Sequence, residues 1–248
     1  MERETRIVAD AQQLARAAAE EFTRQAILAV KSRGRFSVAL SGGSTPKVMY
    51  SLLAQDTEFS GRIPWDQIHF FFGDERFVPS DSEESNYRMV NEALFSHVSI
   101  PAENIHRVKT ELSDAHETAV EYRSQIAETF GIDENALPKF DLVLLGMGPD
   151  GHTASLFPGS DALSETHKTV VENWVAKFDM FRITFTLPLI NSAANVVFIV
   201  GGHDKAAMIA RVFGTNSDSE KVPCQLVNPA DGKLLWLLDK DAAAQING

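Results

Sequence analysis

The residues best suited to chemistry surround one histidine in a loop of glycine and proline, the segment GMGPDGHTASLFPG at residues 146–159. A neutral imidazole, whose ordinary pKa is about 6.5, is well suited to take a proton from water at neutral pH. His152 is therefore our candidate general base, although a lone histidine at a helix start more often bonds to backbone. Asp150 either caps a helix that begins here or accepts a hydrogen bond that fixes the imidazole ring, and the sequence leaves both roles open.

The remaining histidines lack such neighbours, and we expect them to be structural or exposed. They are His69, His97, His106, His116, His167 and His203. No HExxH, paired CxxC or comparable spacing of metal ligands occurs, so we predict no catalytic metal and no cofactor.

A second segment, SGGSTP at residues 41–46, is typical of a phosphate-binding loop. Glycines let backbone N–H groups approach an anion, a hydroxyl can cap the following helix, and Pro46 suits that helix's first turn. The residues predicted to hold the phosphate are Gly42, Gly43, Ser44 and Thr45. The alternative is a plain capped turn. Because the loop lacks the lysine of the GxxxxGK(S/T) pattern, we do not expect it to bind ATP or GTP.

One lysine stands where it could reach the same anion. Lys205 follows the sequence GGHD at the opening of another predicted helix, so its ammonium group could enter the cleft as a point charge. The alternative is a solvated surface lysine.

Two arginines occupy positions that favour an anionic ligand. The sequence GDER at residues 73–76 puts two carboxylates and a guanidinium directly after an apolar strand, which is costly if they are buried without partners. We expect Arg76 to anchor a ligand and Asp74 to bind the substrate. The alternatives are that Asp74 only caps a turn and that Glu75 only balances Arg76. Arg182 interrupts another apolar strand and is either an ion-paired structural arginine or an anion clamp.

The elements that would position these residues follow a repeated pattern. An amphipathic helix is predicted over residues 9–30, and four apolar strands each end in a glycine turn. Those strands are residues 36–40, 68–72, 140–145 and 196–200, and helical stretches follow at residues 85–95, 114–130 and 205–213. Apolar strands that alternate with helices predict a doubly wound, Rossmann-like α/β fold, with a mostly parallel sheet and helices on both faces. Further strands are expected at residues 169–174, 182–187 and 233–238, in an order that the sequence does not reveal.

Such a fold would bring the candidate residues together. In open parallel sheets, ligands bind beyond the carboxyl ends of the strands, where the loops converge. All four glycine turns lie at these ends, so we expect their polar side chains to share one cleft.

Composition sets limits on partners and location. The 248 residues, with 44% hydrophobic and 23% charged, predict a single globular domain over residues 1–248. The net charge of −11 disfavours nucleic acid and anionic membranes as partners, so an anionic ligand needs a local cationic pocket. The only cysteine, Cys224, excludes an intrachain disulfide and is expected to be a buried thiol.

The sequence offers no segment for export or membrane insertion. The first thirty residues lack the apolar stretch of a signal peptide, and no apolar run approaches the roughly 20 residues that cross a bilayer. We expect a cytoplasmic protein, with a monomer as the working expectation for its assembly. Residues 216–220 are interpreted as a surface loop rather than a domain boundary.

Taken together, the motifs at residues 40–46, 73–76 and 148–159 resemble the signatures of the 6-phosphogluconolactonase family, in the family's order. The resemblance continues through residues 182–188 and 202–205, so it covers most of the chain. It implies hydrolysis of 6-phospho-D-glucono-1,5-lactone without a cofactor, in the oxidative pentose phosphate pathway. It also implies that His152 activates water, that the loop at residues 42–45 and Lys205 hold the phosphate, and that Arg76 and Arg182 orient the substrate or steady negative charge.

Two alternatives remain open at this point. Glucosamine-6-phosphate deaminase is a relative with a similar fold and a similar aspartate-glycine-histidine segment, but Phe157 stands where its catalytic glutamate would fall. A sugar-phosphate sensor without catalytic activity is the other alternative. The presence of both Asp150 and His152 favours an enzyme.

Overall fold

The computed structural model describes residues 3–134, 136–214 and 221–246, so the loop predicted at residues 216–220 lies outside the described residues. The strands are β1 (Arg3–Val8), β2 (Phe36–Leu40), β3 (Ile68–Phe72), β4 (Asp74–Arg76), β5 (Leu142–Leu145), β6 (Val170–Val175), β7 (Met180–Phe185), β8 (Asn195–Val200) and β9 (Lys233–Asp239). The α-helices are α1 (Ala11–Arg33), α2 (Ser44–Gln55), α3 (Thr57–Ser60), α4 (Asn86–Ala93), α5 (Ala115–Phe130), α6 (Leu187–Asn191), α7 (Ala206–Phe213) and α8 (Pro223–Leu226).

A six-stranded parallel sheet with helices around it forms the body of the molecule, in the order β1-β9-β8-β5-β2-β3. This confirms the predicted doubly wound α/β fold. Strands β2 and β5 are buried along their whole length, as expected for strands covered on both faces. The large side chains of the core include Phe36, Phe70 and Trp236, each at most 1% exposed.

The strand order creates a switch point in the middle of the sheet. Strand β5 lies beside β2, with Val38 opposite Leu142 and Ala39 opposite Val143. From β2 the chain goes on to β3 at one side of the sheet, and from β5 it goes on to β8 at the other. The loops that follow β2 and β5 therefore leave the same edge and diverge, which opens the crevice where α/β sheets bind ligands.

Local sequence signals set the long first helix. The Asp10 side chain accepts a hydrogen bond from the backbone N–H of Gln13 at 2.8 Å and so caps α1. The helix ends at Gly34, whose φ of 75° lies in the left-handed region that glycine adopts without strain. The predicted range of residues 9–30 was displaced at both ends, since α1 runs from Ala11 to Arg33.

Strand β1 was missed from the sequence because it carries no apolar run. Its residues are mostly exposed and half of them are charged, as at the edge of a sheet. Only its parallel pairing with β9, which puts Thr5 opposite Trp236, identifies it as a strand.

A second, three-stranded antiparallel sheet has the order β4-β7-β6. The sequence predicted strands close to β6 and β7 but not this separate sheet, and it assigned residues 73–76 to a turn. Strand β7 runs from Met180 to Phe185, so the predicted end at residue 187 was wrong. The strand stops there because Pro188 occupies the first turn of α6 and cannot donate to a β-ladder.

The buried carboxylate of Glu75 fastens β4 to α4. It accepts hydrogen bonds from the backbone N–H groups of Asn86 and Tyr87, both at 2.7 Å, and from the Ser85 hydroxyl at 3.2 Å. The alternative in which Glu75 only balances the Arg76 guanidinium does not hold, since the carboxylate faces the amino end of α4. Helix N–H groups without intrahelical partners offer the stronger set of donors here.

Replacing Glu75 with Ala should lower the free energy of unfolding by about 2–4 kcal/mol, because several buried N–H groups lose their acceptor. Urea unfolding followed by circular dichroism measures the change. The matched control is Glu83→Ala, which removes an exposed carboxylate eight residues further along the chain. It should lower the free energy of unfolding by less than about 0.5 kcal/mol. Equal stability of the two variants would contradict the capping role of Glu75.

Candidate functional site

A cleft of about 390 Å³ opens at the carboxyl edge of the parallel sheet. It is lined by the loops that follow β2, β5 and β8 and by residues of β4 and β7. The candidate residues in its lining are Gly42, Gly43, Ser44, Thr45, Asp74, Arg76, His152, Arg182 and Lys205. Asp150 lies behind His152. The structure thus brings these candidate residues together in one cleft, as the sequence predicted.

The loop at residues 41–46 presents backbone donors to the cleft. Helix α2 begins at Ser44, and its N-cap is Gly43, with a φ of 108° and no side chain to cap the helix. The expected hydroxyl cap is therefore wrong, and the first N–H groups of α2 are left for a ligand. Gly42 is required by close packing, because a Cβ there would lie 2.0 Å from Asn86 Oδ1.

Lys205 approaches the cleft from the loop after β8. Its side chain is only 19% exposed, which excludes the solvated surface lysine, and its Nζ lies 2.6 Å from Asp204 Oδ2. The hydrogen bond from Lys205 lowers the pKa of Asp204, which keeps this carboxyl group ionised at neutral pH. The preceding turn is held by the buried Asp239 carboxylate, which accepts from the Gly202 N–H at 3.0 Å.

His152 and Asp150 form a hydrogen-bonded pair. Asp150 Oδ1 lies 2.5 Å from His152 Nδ1 and also accepts from the His152 backbone N–H at 3.2 Å. Burial alone would raise the pKa of Asp150, but the hydrogen bond and charge of His152 outweigh it and lower that pKa. The ring of Phe157 stacks on the imidazole at a centroid distance of 4.2 Å. The imidazole is therefore fixed from two directions.

The two roles left open for Asp150 are now distinguished. No helix begins at this point, because Gly151 and Ala154 have φ values of 78° and 47°, which right-handed helices do not allow. The carboxylate instead orients the ring. Gly148 permits this arrangement, since a Cβ there would lie 2.1 Å from His152 Nδ1.

Two arginines face each other across the small sheet. Arg76 on β4 pairs in register with Arg182 on β7, and both side chains line the cleft. Like charges directly opposite each other are destabilising. Burial lowers the pKa of Arg182, and the positive charge of Arg76 lowers it further. The negative charge of Asp74 acts in the opposite direction but does not outweigh them. This arrangement favours an anion between them.

Neither guanidinium group uses all of its donors within the described residues. Arg76 Nη1 donates to the Glu84 carbonyl at 2.5 Å, and Arg182 Nη1 lies 4.0 Å from Asp74 Oδ2. Within the described part of the chain, the Nε atoms of Arg76 and Arg182 are buried without a hydrogen-bond partner. An anion between the arginines would therefore meet guanidinium groups whose hydrogen bonding within the protein is incomplete.

A buried polar network that the sequence did not reveal supports these groups. Asp74 Oδ2 accepts a hydrogen bond from the Ser155 hydroxyl at 2.6 Å, and Asn86 Nδ2 donates to the Asp74 carbonyl at 2.9 Å. Asn173 Nδ2 donates to the Ser155 carbonyl at 2.8 Å. Asp74 is thus held by two neighbouring segments rather than capping a turn. Ser155 is within the histidine motif, but Asn86 and Asn173 carry no local signal, since only tertiary contacts bring them here.

The described residues contain no group of three or more His, Cys, Asp or Glu side chains arranged to hold a metal ion. In the same part of the chain, no helix is both long and apolar enough to cross a membrane.

The fold and the cleft define a doubly wound α/β protein with a small, cationic, glycine-lined cleft beside a histidine–aspartate pair. The family model described as glucosamine-6-phosphate isomerases/6-phosphogluconolactonase matches residues 9–236. The chain belongs to this family.

Relatives with curated names agree with this assignment. A 6-phosphogluconolactonase of Nostoc sp. is 42% identical over 219 residues, and one of Synechocystis sp. is 40% identical over 218 residues, each match covering 88% of both chains. The solved 6-phosphogluconolactonase from Trypanosoma cruzi superposes with a TM-score of 0.87 at 30% identity, over 100% of this chain and 98% of that one. A monomeric glucosamine-6-phosphate deaminase, 20% identical with a TM-score of 0.79, shares the fold.

The geometry predicts the tautomer of His152. Because Asp150 accepts at Nδ1, we expect that nitrogen to carry the proton and Nε2 to face the cleft, as long-range ¹H–¹⁵N spectra can detect. Gly148→Ala should disturb this pattern, because its Cβ displaces the ring. Gly146→Ala is the matched control, since its Cβ meets nothing within 4 Å. An Nε2-protonated ring, or the same change in both variants, would contradict the arrangement.

Proposed function

We propose that the protein hydrolyses 6-phospho-D-glucono-1,5-lactone to 6-phospho-D-gluconate, a step of the oxidative pentose phosphate pathway, with His152 as the general base. The observation that carries the proposal is the placement of the His152–Asp150 pair in the same cleft as a phosphate-type loop and two facing arginines. The names of the relatives support the substrate.

The phosphate of the substrate binds at the loop of residues 42–45, with Lys205 beside it. The amino end of α2 supplies free N–H groups and the positive end of the helix dipole, and Lys205 adds a formal charge. This local attraction is what a chain of net charge −11 needs to bind a dianion. The phosphate is remote from the lactone bond, so its binding energy helps to position the reacting carbon.

His152 takes a proton from water as the water oxygen bonds to the lactone carbonyl carbon. The carbonyl electrons move to oxygen, which gives a tetrahedral oxyanion. When the intermediate collapses, the bond to the ring oxygen breaks and that oxygen takes the proton from the imidazolium. Asp150 holds Nδ1 throughout, so the ring stays oriented and its positive charge is stabilised.

Arg76 and Arg182 steady the negative charge that develops on the carbonyl oxygen or orient the sugar hydroxyls. Both side chains line the cleft, so their guanidinium groups can donate to a ligand bound there. Asp74 helps to keep the Arg182 guanidinium group at the cleft. Its carboxylate accepts a hydrogen bond from Ser155 and lies 4.0 Å from Arg182 Nη1. It is a supporting contact of the binding site.

A covalent nucleophile is not required. A δ-lactone is a reactive ester, and positioning with one base is sufficient for its hydrolysis. The only cysteine does not serve, because burial raises the pKa of Cys224 to about 12 and keeps it as a thiol.

Deamination of an amino sugar is the weaker candidate. It needs proton transfers at the ring oxygen and between neighbouring carbons, whereas Phe157 offers only an apolar ring against His152. A sensor without activity would have no need of the ordered His152–Asp150 pair. We also propose that residues 1–248 form one cytoplasmic domain that uses no cofactor.

Replacing His152 with Ala should lower turnover of the lactone by about 100-fold or more, because the water loses its base. Acid release from freshly generated lactone, corrected for spontaneous hydrolysis, measures turnover. Calorimetry should show nearly unchanged binding of 6-phosphogluconate, since the phosphate contacts remain. His167→Ala, which removes an exposed imidazole, should keep turnover within about twofold. Near-native turnover in a folded His152→Ala protein would contradict the proposal that His152 is the general base.

The phosphate site predicts a strong preference for the phosphorylated lactone over gluconolactone. Replacing Lys205 with Met should lower kcat/KM for the phosphorylated substrate by about 10-fold to 100-fold, because a charge-assisted contact is lost. The same substitution should leave the slow hydrolysis of gluconolactone unchanged, which makes the second substrate the control. If Lys205→Met lowered both activities equally, the lysine would not be a phosphate ligand.

A further inference from the structure

The turn between β6 and β7 approaches the catalytic pair from outside the cleft. A short 3-10 turn over Ala176–Phe178 leads to Asp179, whose φ of 50° is left-handed. Neither Lys177 nor Phe178 is among the residues that line the cleft. Phe178 nevertheless contacts Arg182, which lines it, and Lys177 contacts Asp150, the partner of His152.

Phe178 contacts both Phe157, which stacks on His152, and the guanidinium group of Arg182. Its ring lies 6.1 Å from the ring of Phe157 at an interplanar angle of 65°, an edge-to-face contact. Phe157 in turn stacks on His152. The Arg182 guanidinium carbon lies 5.0 Å from the centroid of the Phe178 ring, within the range of a cation–π contact.

The contact with Arg182 matters because that guanidinium has few other supports. Its Nε has no hydrogen-bond partner among the described residues, and its nearest carboxylate, on Asp74, is 4.0 Å away. A ring face is therefore a substantial part of what fixes the plane of the guanidinium.

The same turn also reaches Asp150. Lys177 Nζ lies 3.9 Å from Asp150 Oδ2, the carboxylate oxygen that His152 Nδ1 does not use. The lysine is well exposed, so this ion pair contributes little to stability. The contact shows that the turn between β6 and β7 passes next to Asp150, on the side of the carboxylate that faces away from His152 Nδ1.

We propose that Phe178 is a positioning residue that sets the placement of the His152 base relative to Arg182. The ring holds Phe157 against the imidazole on one side and the guanidinium on the other. This inference rests on the proposed lactonase function, in which His152 activates water and Arg182 steadies the developing charge or orients the same sugar. The phosphate loop is on separate elements, so loss of the ring should affect turnover more than substrate binding.

The experiment compares two aromatic residues of one hairpin. Phe178→Ala removes the proposed support, and Phe181→Ala removes a ring of similar exposure, 40% against 44%. Phe181 is the matched control because its ring packs on Trp174, at 4.9 Å, away from the cleft. Phe178→Tyr keeps the aromatic ring and tests for rescue.

We expect Phe178→Ala to lower kcat for the phosphorylated lactone by about 10-fold with KM within about twofold, because misplaced groups reduce the rate without weakening phosphate binding. Phe178→Tyr and Phe181→Ala should keep kcat within about twofold of the parent. Equal losses in Phe178→Ala and Phe181→Ala, or a raised KM with unchanged kcat, would overturn the proposal.

A second readout does not depend on activity. Stacking on Phe157 shifts the ring proton resonances of His152, and we expect Phe178→Ala to change those shifts while Phe181→Ala leaves them unchanged. If the parent protein does not hydrolyse the lactone, the proposed function fails while these spectra still test the positioning contact. If the parent is active and the spectra of the two variants agree, the proposal for Phe178 fails alone.

Discussion

Parallel pairing of β2 with β5 is the constraint on which the site depends. The two strands are fastened at their amino ends, where the buried Asp141 carboxylate accepts from the Ser37 N–H at 2.8 Å and from its hydroxyl at 3.0 Å. Because the strands are parallel and adjacent, the phosphate-type loop and the histidine loop emerge side by side. The chain then leaves in opposite directions, so neither crossover covers the space between them.

The small antiparallel sheet places two charged arginines at that space. It sets Arg76 opposite Arg182, an arrangement that costs free energy in the empty protein because like charges repel and burial removes water. Asp74 and its bond from Ser155 offset only part of this cost. In the proposed reaction, an anionic substrate or a developing oxyanion between the two arginines would relieve the remainder of this cost.

Apolar rings hold the imidazole of the proposed catalytic pair in place. Asp150 holds one ring nitrogen of His152, Phe157 stacks on the ring, and Phe178 contacts Phe157 edge to face. A stacked ring restricts rotation of the imidazole without competing for the Nε2 lone pair, which in the proposed reaction accepts a proton from water. An additional polar partner on that face would compete with the substrate.

The sequence by itself determined the fold class, the strands β2, β3, β5 and β8, and nine of the residues that line the cleft. These features depend on local rules: buried parallel strands are apolar throughout, and glycine is needed where the backbone turns sharply. Strand β1, the separate sheet of β4, β7 and β6, the helix-capping role of Glu75 and the support from Phe178 were decided only by the tertiary structure. Each depends on a partner distant in sequence, and no local pattern records which segments will meet.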